Sequence, residues 1–415
     1  MNKNNDNSLY DISKEKIAPA LFSYVNWIIE NAKKRNISTL YFLARDGYVL
    51  KQIAELICKQ NGMSMECRYL YCSRASLRMP TYYFIGDEAF DLIFSSGYHV
   101  TLATFAERIG MDEKEWMTVL EESGVSENID IATELSEQQI FYYKKKLHTD
   151  KRLIDFLEKK SRKAYDLVVR YFQQEEMLEK NQIAIVDSGW VGSMQRSIRQ
   201  LLQHIGWKGK IIGFYFGLYA QQRAEDGEYL SYYFNYNKDL KNKVLFCNNL
   251  FEIILSAPHG TTIGYEKEKK CIKPILQKTA DNEQNEKIKE QINGIVDGTK
   301  EILSQGIKYE KKDCQKILRK IMGDPSIQIS KLYGAFMFCD DITDMNRFYL
   351  NDLKSKKNVK ELLVWRRIWV RISKKKKEQL FWDYGAITLI RNPIKRKWYW
   401  LNSYLWKILQ YTIRH

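Results

Sequence analysis

A chain of 415 residues has room for roughly two or three domains and for a core that needs no staples. Its formal charge of +15 is concentrated in residues 351–415, which hold 17 Lys/Arg against 4 Asp/Glu, so polybasic character belongs to one segment and not to the whole surface. Seven cysteines without CxxC spacing fit buried free thiols in a reducing compartment better than disulfides or zinc, and the absence of an uncharged apolar run of about 18 residues argues against a spanning helix.

The polar N-terminus shows no apolar signal region, so a cytoplasmic location is expected. Residues 17–35 place Leu21, Val25, Ile28 and Ile29 on one side of a helix, and 39–44 follow as a short apolar strand. After Arg45-Asp46-Gly47 the pattern is helical over 48–60, and 68–72 form a second strand. This β-α-β unit predicts a parallel sheet buried on both faces, with ligand loops at the carboxyl ends of its strands. Residues 81–180 offer no good strand; helix-spaced apolar residues such as Phe90, Ile93, Trp116 and Leu120 make them a helical, cap-like insertion able to cover a site formed by loops. The sheet resumes with a strand at 183–186, a helix at 192–204 and a strand at 210–218. Residues 266–310 are rich in Lys, Glu and Gln with few large apolar groups, and read as an exposed helix or partly a linker. The expected fold is therefore α/β, a Rossmann-like parallel sheet built from 1–80 and 181–265, with a helical insertion at 81–180, a helical region or linker at 266–350 and a helical, basic aromatic region at 351–415.

That last region is amphipathic twice. Leu362, Trp365, Trp369 and Ile372 fall on one helical stripe, with Arg366, Arg367, Arg371 and the lysine run 374–377 mostly beside or opposite it. Trp398, Leu401, Leu405, Ile408 and Thr412 repeat the arrangement after Pro393. Cations beside Trp suit the boundary between anionic headgroups and acyl chains, which points to an anionic membrane surface as partner and a peripheral position on its inner face. In the competing reading both stripes pack on the protein's own core. Nucleic acid is not the expected partner, because no RNP, zinc-finger or KH-type signature accompanies the basic aromatic residues.

Three stretches can carry chemistry. In Ile183-Ala-Ile-Val-Asp187-Ser188-Gly189-Trp190-Val191-Gly192-Ser193 an apolar strand ends in a carboxylate, followed by a Gly/Ser loop and a helix start. Such a loop can cradle a phosphate with its N–H groups and hydroxyls; alternatively Gly189 and Gly192 only shape a turn and Ser193 caps the helix. In Leu40-Tyr-Phe-Leu-Ala-Arg45-Asp46-Gly47-Tyr48, Arg45 can hold a phosphate and Asp46 can bind Mg²⁺ or act as a base, unless Arg45 merely pairs with Asp46 or Asp187. Ser73 and Arg74, after the second strand, bring a hydroxyl and a guanidinium to the same edge. In Leu250-Phe251-Glu252…Ser256-Ala-Pro258-His259-Gly260, a loop histidine able to titrate near neutrality is a candidate acid or base, or is simply solvated.

FLARDGY, YCSRAS, IVDSGWVGSMQ, GFYFGLY and LFEIILSAPHG, in this order over about residues 40–265, resemble the blocks of a group of bacterial predicted hydrolases of the haloacid dehalogenase (HAD) superfamily, often encoded with surface-polysaccharide glycosyltransferases. The resemblance implies a Mg²⁺-assisted reaction on a phosphorylated or nucleotide-linked sugar, with Asp46 and Asp187 at the metal or general-base positions and a glycosyltransferase as partner. Ala44 stands where the nucleophilic Asp of the superfamily's first motif would be, which speaks against a phosphoaspartyl intermediate. The RDG and VDSGW loops also resemble, in architecture, the pyrophosphate and ribose-phosphate loops of phosphoribosyltransferases. A non-catalytic module that binds such a ligand and scaffolds a glycosyltransferase is the reading from another class.

Overall fold

Strands buried on both faces are β1 (Thr39–Leu43), β3 (Gln182–Asp187) and β4 (Lys210–Gly217), and the more exposed β2 (Glu66–Leu70) and β5 (Glu228–Phe234) flank them. In the computed structural model, which describes residues 8–97, 99–125, 130–278, 282–339, 347–351, 362–373 and 380–413, these form one parallel sheet in the order β2-β1-β3-β4-β5. Alternation along each strand feeds two cores. Leu40, Phe42, Ala184, Val186 and Phe214 join one, while Tyr41, Leu43, Ile183, Ile185 and Ile211 join the other. The expected α/β fold is thus present. β5 was not anticipated, because Glu228-Tyr-Leu-Ser-Tyr-Tyr-Phe alternates weakly and becomes a strand by adding to the free edge of β4.

A short helix α1 (Leu9–Ile12) runs through a π-helical turn into α2 (Ala18–Lys34), and α3 (Gly47–Gln60) connects β1 to β2. Both α2 and α3 contribute to the first core. Gly47 is required where α3 leaves the sheet: a Cβ there would lie 2.7 Å from the carbonyl carbon of Phe42. The short helix α4 (Arg74–Arg78) follows β2.

The insertion contains α5 (Asp87–Ile93), α6 (Leu102–Ile109), α7 (Glu113–Glu122), α8 (Glu137–Leu147) and α9 (Lys151–Gln174), and surrounds its own core of Ile93, Phe105, Trp116, Leu120, Leu147 and Leu153. Its helices begin where local sequence says they should, with capping boxes at Thr101, Asp112 and Ser136. The first half of α9 packs in the insertion through Leu153 and Leu157, and its second half packs on the sheet through Val168, Tyr171 and Phe172. After β3 come α10 (Ser193–His204), and after β5 come α11 (Leu240–Leu245) and α12 (Asn248–Ile254).

The expectation of an exposed helix or linker at 266–310 is corrected. An antiparallel hairpin, β6 (Thr262–Glu268) with β7 (Cys271–Leu276), opens the segment, and α13 (Asn282–Gln305) is a core helix that buries Ile288, Ile292, Ile295 and Ile302. Its small residues explain how a helix with few large apolar groups is held: Cβ atoms at Gly294 and Gly298 would come within 2.4 Å of the Tyr10 carbonyl oxygen and 2.5 Å of that of Lys14. The backbones of α13 and the N-terminal helices therefore touch.

The remainder comprises α14 (Lys311–Leu318), α15 (Ile327–Gly334), the hairpin β8 (Met337–Cys339) with β9 (Arg347–Tyr349), α16 (Val364–Ser373), α17 (Asp383–Thr388) and α18 (Pro393–Ile413). Packing on the protein's own core accounts for only part of the C-terminal region. α17 is core: Trp382 donates its indole N–H to the Met322 carbonyl at 2.8 Å, and Asp383 pairs with Arg367 in a buried contact of 2.9 Å. Leu362 and Trp406 are also buried, whereas Trp365, Trp369, Trp398, Leu401 and Leu405 face outwards. The lysine run 374–377 lies outside the described residues, as do the side chains of Arg371 and Ile372. No helix among the described residues is long and apolar enough to cross a membrane. Cys58, Cys67, Cys72, Cys247, Cys271 and Cys314 are free thiols as expected, but only four are buried: Cys67 is half-buried and Cys271 exposed.

Candidate functional site

Strand order 2-1-3-4-5 makes the β1/β3 junction a topological switch point, where connections leave to opposite sides, the place at which open α/β sheets bind ligands. Asp46 follows β1 and Asp187 ends β3, so both predicted carboxylates reach this junction. They act on each other electrostatically, and Ser188 joins them by donating its hydroxyl to Asp46.

Asp187 is 7% exposed, and its Oδ2 has no hydrogen-bond partner. Burial raises its carboxyl well above the ordinary carboxylate range, the neighbouring Asp46 adds to this, and the N–H groups of Ser188 and Gly189 offset it in part. Asp46 is raised chiefly by burial; the Ser188 hydroxyl, Arg45 and Arg74 oppose the shift. Tyr24, from α2, braces the junction by donating its hydroxyl to the backbone carbonyls of Asp187 and Phe214, at 3.2 and 3.1 Å.

A third carboxylate completes the cluster. Glu252 on α12 accepts the indole N–H of Trp190 at 2.7 Å, and burial together with the charge of Asp46 pushes it up to about 7. Sequence reasoning did not single it out for the site. The available signal was a lone carboxylate inside the otherwise apolar Leu250–Leu255 run, where a charge is expensive to bury without a role. Trp190, which holds it, was passed over as part of the loop.

The Ser188–Ser193 loop is tightly bound to the protein. Gly189 has φ +142°, and a Cβ there would meet the Gly217 carbonyl oxygen at 2.3 Å; Gly192 has φ +69° and precedes α10, which starts at Ser193. The Ser188 carbonyl accepts from Gly217 N–H at 3.2 Å, and the Trp190 carbonyl accepts from Tyr219 N–H at 2.9 Å. The first two N–H groups of the loop are thus directed at Asp187, and the helix cap is Gly192 instead of Ser193.

Ser73 is used structurally: it caps α4 by accepting from Ser76 N–H, and it donates to the Thr262 carbonyl at 2.6 Å. Arg74 is exposed, yet it acts on Asp46 and Glu252. Arg45 acts on both carboxylates and on His259. His259 is half-buried, not solvated. Its Nδ1 faces the Gly260 carbonyl at 2.9 Å and its Nε2 faces the Tyr69 hydroxyl at 2.8 Å, so the neutral ring donates from Nδ1 and accepts at Nε2. Burial, reinforced by Arg45, lowers its pKa. The ring is packed among Tyr48, Tyr69 and Tyr71.

Asp46, Asp187 and Glu252 are the chemically distinctive group, with two guanidinium groups within electrostatic reach and His259 set beyond Arg45. Among the described residues no set of three His, Cys, Asp or Glu side chains is close enough to hold a metal ion. Mg²⁺, which commonly takes only one or two protein carboxylates, would here have to be held by Asp46 and Asp187. The unpartnered Asp187 Oδ2 suits it. No protein-family model matches the chain, and no curated protein matches it.

Proposed function

We propose that the chain is a cytoplasmic enzyme of surface-polysaccharide assembly that acts on a phosphorylated or nucleotide-linked sugar bound at the β1/β3 switch point. The observation that carries this is the buried Asp187 carboxylate with an unpartnered Oδ2, set beside Asp46. Two neighbouring carboxylates out of water destabilise a fold, and a bound cation or a shared proton relieves the strain. Asp46 and Asp187 would hold Mg²⁺, whose chemistry is to neutralise phosphate oxygens and polarise the reacting phosphoryl group. Arg45 and Arg74 orient the substrate phosphate, and Ser188 fixes the Asp46 carboxylate. Glu252, titrating near neutrality and held by Trp190, transfers the proton. The order of blocks resembling HAD-superfamily hydrolases supports the phosphate chemistry, and Ala44 at the nucleophile position favours direct transfer or hydrolysis over a phosphoaspartyl enzyme.

The test compares wild type with Asp187→Asn in two assays: Mn²⁺ binding followed by electron paramagnetic resonance, and Mg²⁺-dependent phosphate release from a panel of sugar phosphates and nucleoside-diphosphate sugars. The expected result is metal binding and turnover in wild type, with turnover lower by at least about a hundredfold in the variant. Ligand and metal binding without turnover would favour the scaffold module. Wild-type turnover in Asp187→Asn would refute the assignment.

A further inference from the structure

Eight of the nineteen exposed large apolar side chains among the described residues lie on α16 and α18. On α16 they are Trp365, Ile368 and Trp369, with the two indoles 63% and 52% exposed. On α18 they are Ile394, Trp398, Leu401, Leu405 and Leu409, at intervals of four, three, four and four, so they form one stripe; Ile394 is 79% and Trp398 58% exposed. The helices pack on each other, and the Val364 N–H donates to the Asn402 side chain at 3.3 Å. Their inner sides are occupied: Trp400 donates to the Gly323 carbonyl at 2.7 Å, and Arg367 is buried on Asp383. The outward stripes are exposed as continuous rows, unlike singly scattered surface apolar residues.

Charge identifies what covers them. Neither α16 nor α18 contains Asp or Glu. Arg391, Lys395, Arg396 and Lys397 are exposed around the first turn of α18, and the Arg366 guanidinium lies 5.7 Å from the Trp365 ring centroid. Indoles beside the exposed Lys395, Arg396 and Lys397 match an anionic interface: the rings enter the headgroup boundary and the cations remain at phosphate level. A self-association face would place the exposed Lys395 and Lys397 against the same cations of its own copy.

We propose that the paired outer faces of α16 and α18 form a docking surface for an anionic lipid bilayer, with Trp365, Trp369 and Trp398 as the inserted groups and Lys395 and Lys397, which flank the α18 stripe, as the headgroup contacts. This is independent of what the β1/β3 site does.

The test is co-sedimentation of the full chain with phosphatidylcholine vesicles with and without phosphatidylglycerol, alongside tryptophan emission. Binding is expected only to the anionic vesicles, with a blue shift that the Trp365→Ser/Trp369→Ser/Trp398→Ser variant loses together with at least about tenfold of the affinity. Lys395→Gln/Lys397→Gln should weaken binding by roughly fivefold per cation, and added salt should mimic it. All five positions are exposed, so melting temperatures should stay at the wild-type value and loss of binding is not loss of fold. Wild-type protein left in the supernatant with anionic vesicles overturns the proposal. So does a concentration-dependent dimer, formed without lipid, that the Trp variant abolishes.

Discussion

Glu252 offers a test of the site that needs no substrate. Its carboxyl moves from 4.5 in the unfolded chain to about 7 in the folded one, because burial and the charge of Asp46 both disfavour its ionised form. The folded state therefore binds the proton more tightly than the unfolded state does. Stability from this group is fully present below about pH 4.5 and is lost as the pH rises through about 7. The full shift corresponds to roughly 3 kcal/mol, and solvent on the half-buried side of the residue brings this to about 2–3 kcal/mol. Glu252→Gln keeps an acceptor for the Trp190 indole N–H and removes the charge. The variant should match wild type near pH 4.5 and exceed it by about 2–3 kcal/mol near pH 8. At roughly 2.1 cal/mol/K per residue, a 415-residue chain loses about 0.9 kcal/mol per degree at its midpoint, so the melting temperature should rise by about 2–3 °C at the higher pH. Thermal melts of both proteins across this range, followed by circular dichroism, provide the measurement. A difference that does not change with pH, or a variant less stable than wild type near pH 8, would refute the electrostatic account of the cluster.

Two further outcomes test the packing around the site and the C-terminal helices. Arg367→Ala removes the buried guanidinium paired with Asp383 and should cost about 3–5 kcal/mol, read as a lower urea midpoint at unchanged slope. Gly298→Val forces a side chain into the Lys14 carbonyl and the Ala18 methyl, and should cost at least about 1–3 kcal/mol; an unchanged urea midpoint would show that α13 does not approach the N-terminal helices as closely as described.

Local sequence was sufficient wherever one residue type decides the conformation or burial covers both faces. The apolar runs of β1, β3 and β4 announce a doubly covered parallel sheet, the caps at Thr101, Asp112 and Ser136 start the insertion's helices, and Asp46 and Asp187 stand at strand ends because apolar residues precede them directly. What depended on partners far away in the chain was not legible. The composition of α13 looks solvent-facing because Gly294 and Gly298 contribute no apolar area of their own, and their value lies in the backbone contacts they permit. Glu252 sits about 65 residues beyond Asp187 on a helix whose local pattern is simply apolar, and only folding sets it against Trp190 and Asp46. The two amphipathic stripes near the C-terminus were readable as periodicity. Which of their Trp residues belong to the core was decided by tertiary structure, because a helical stripe records that one face is apolar and not whether protein already covers it.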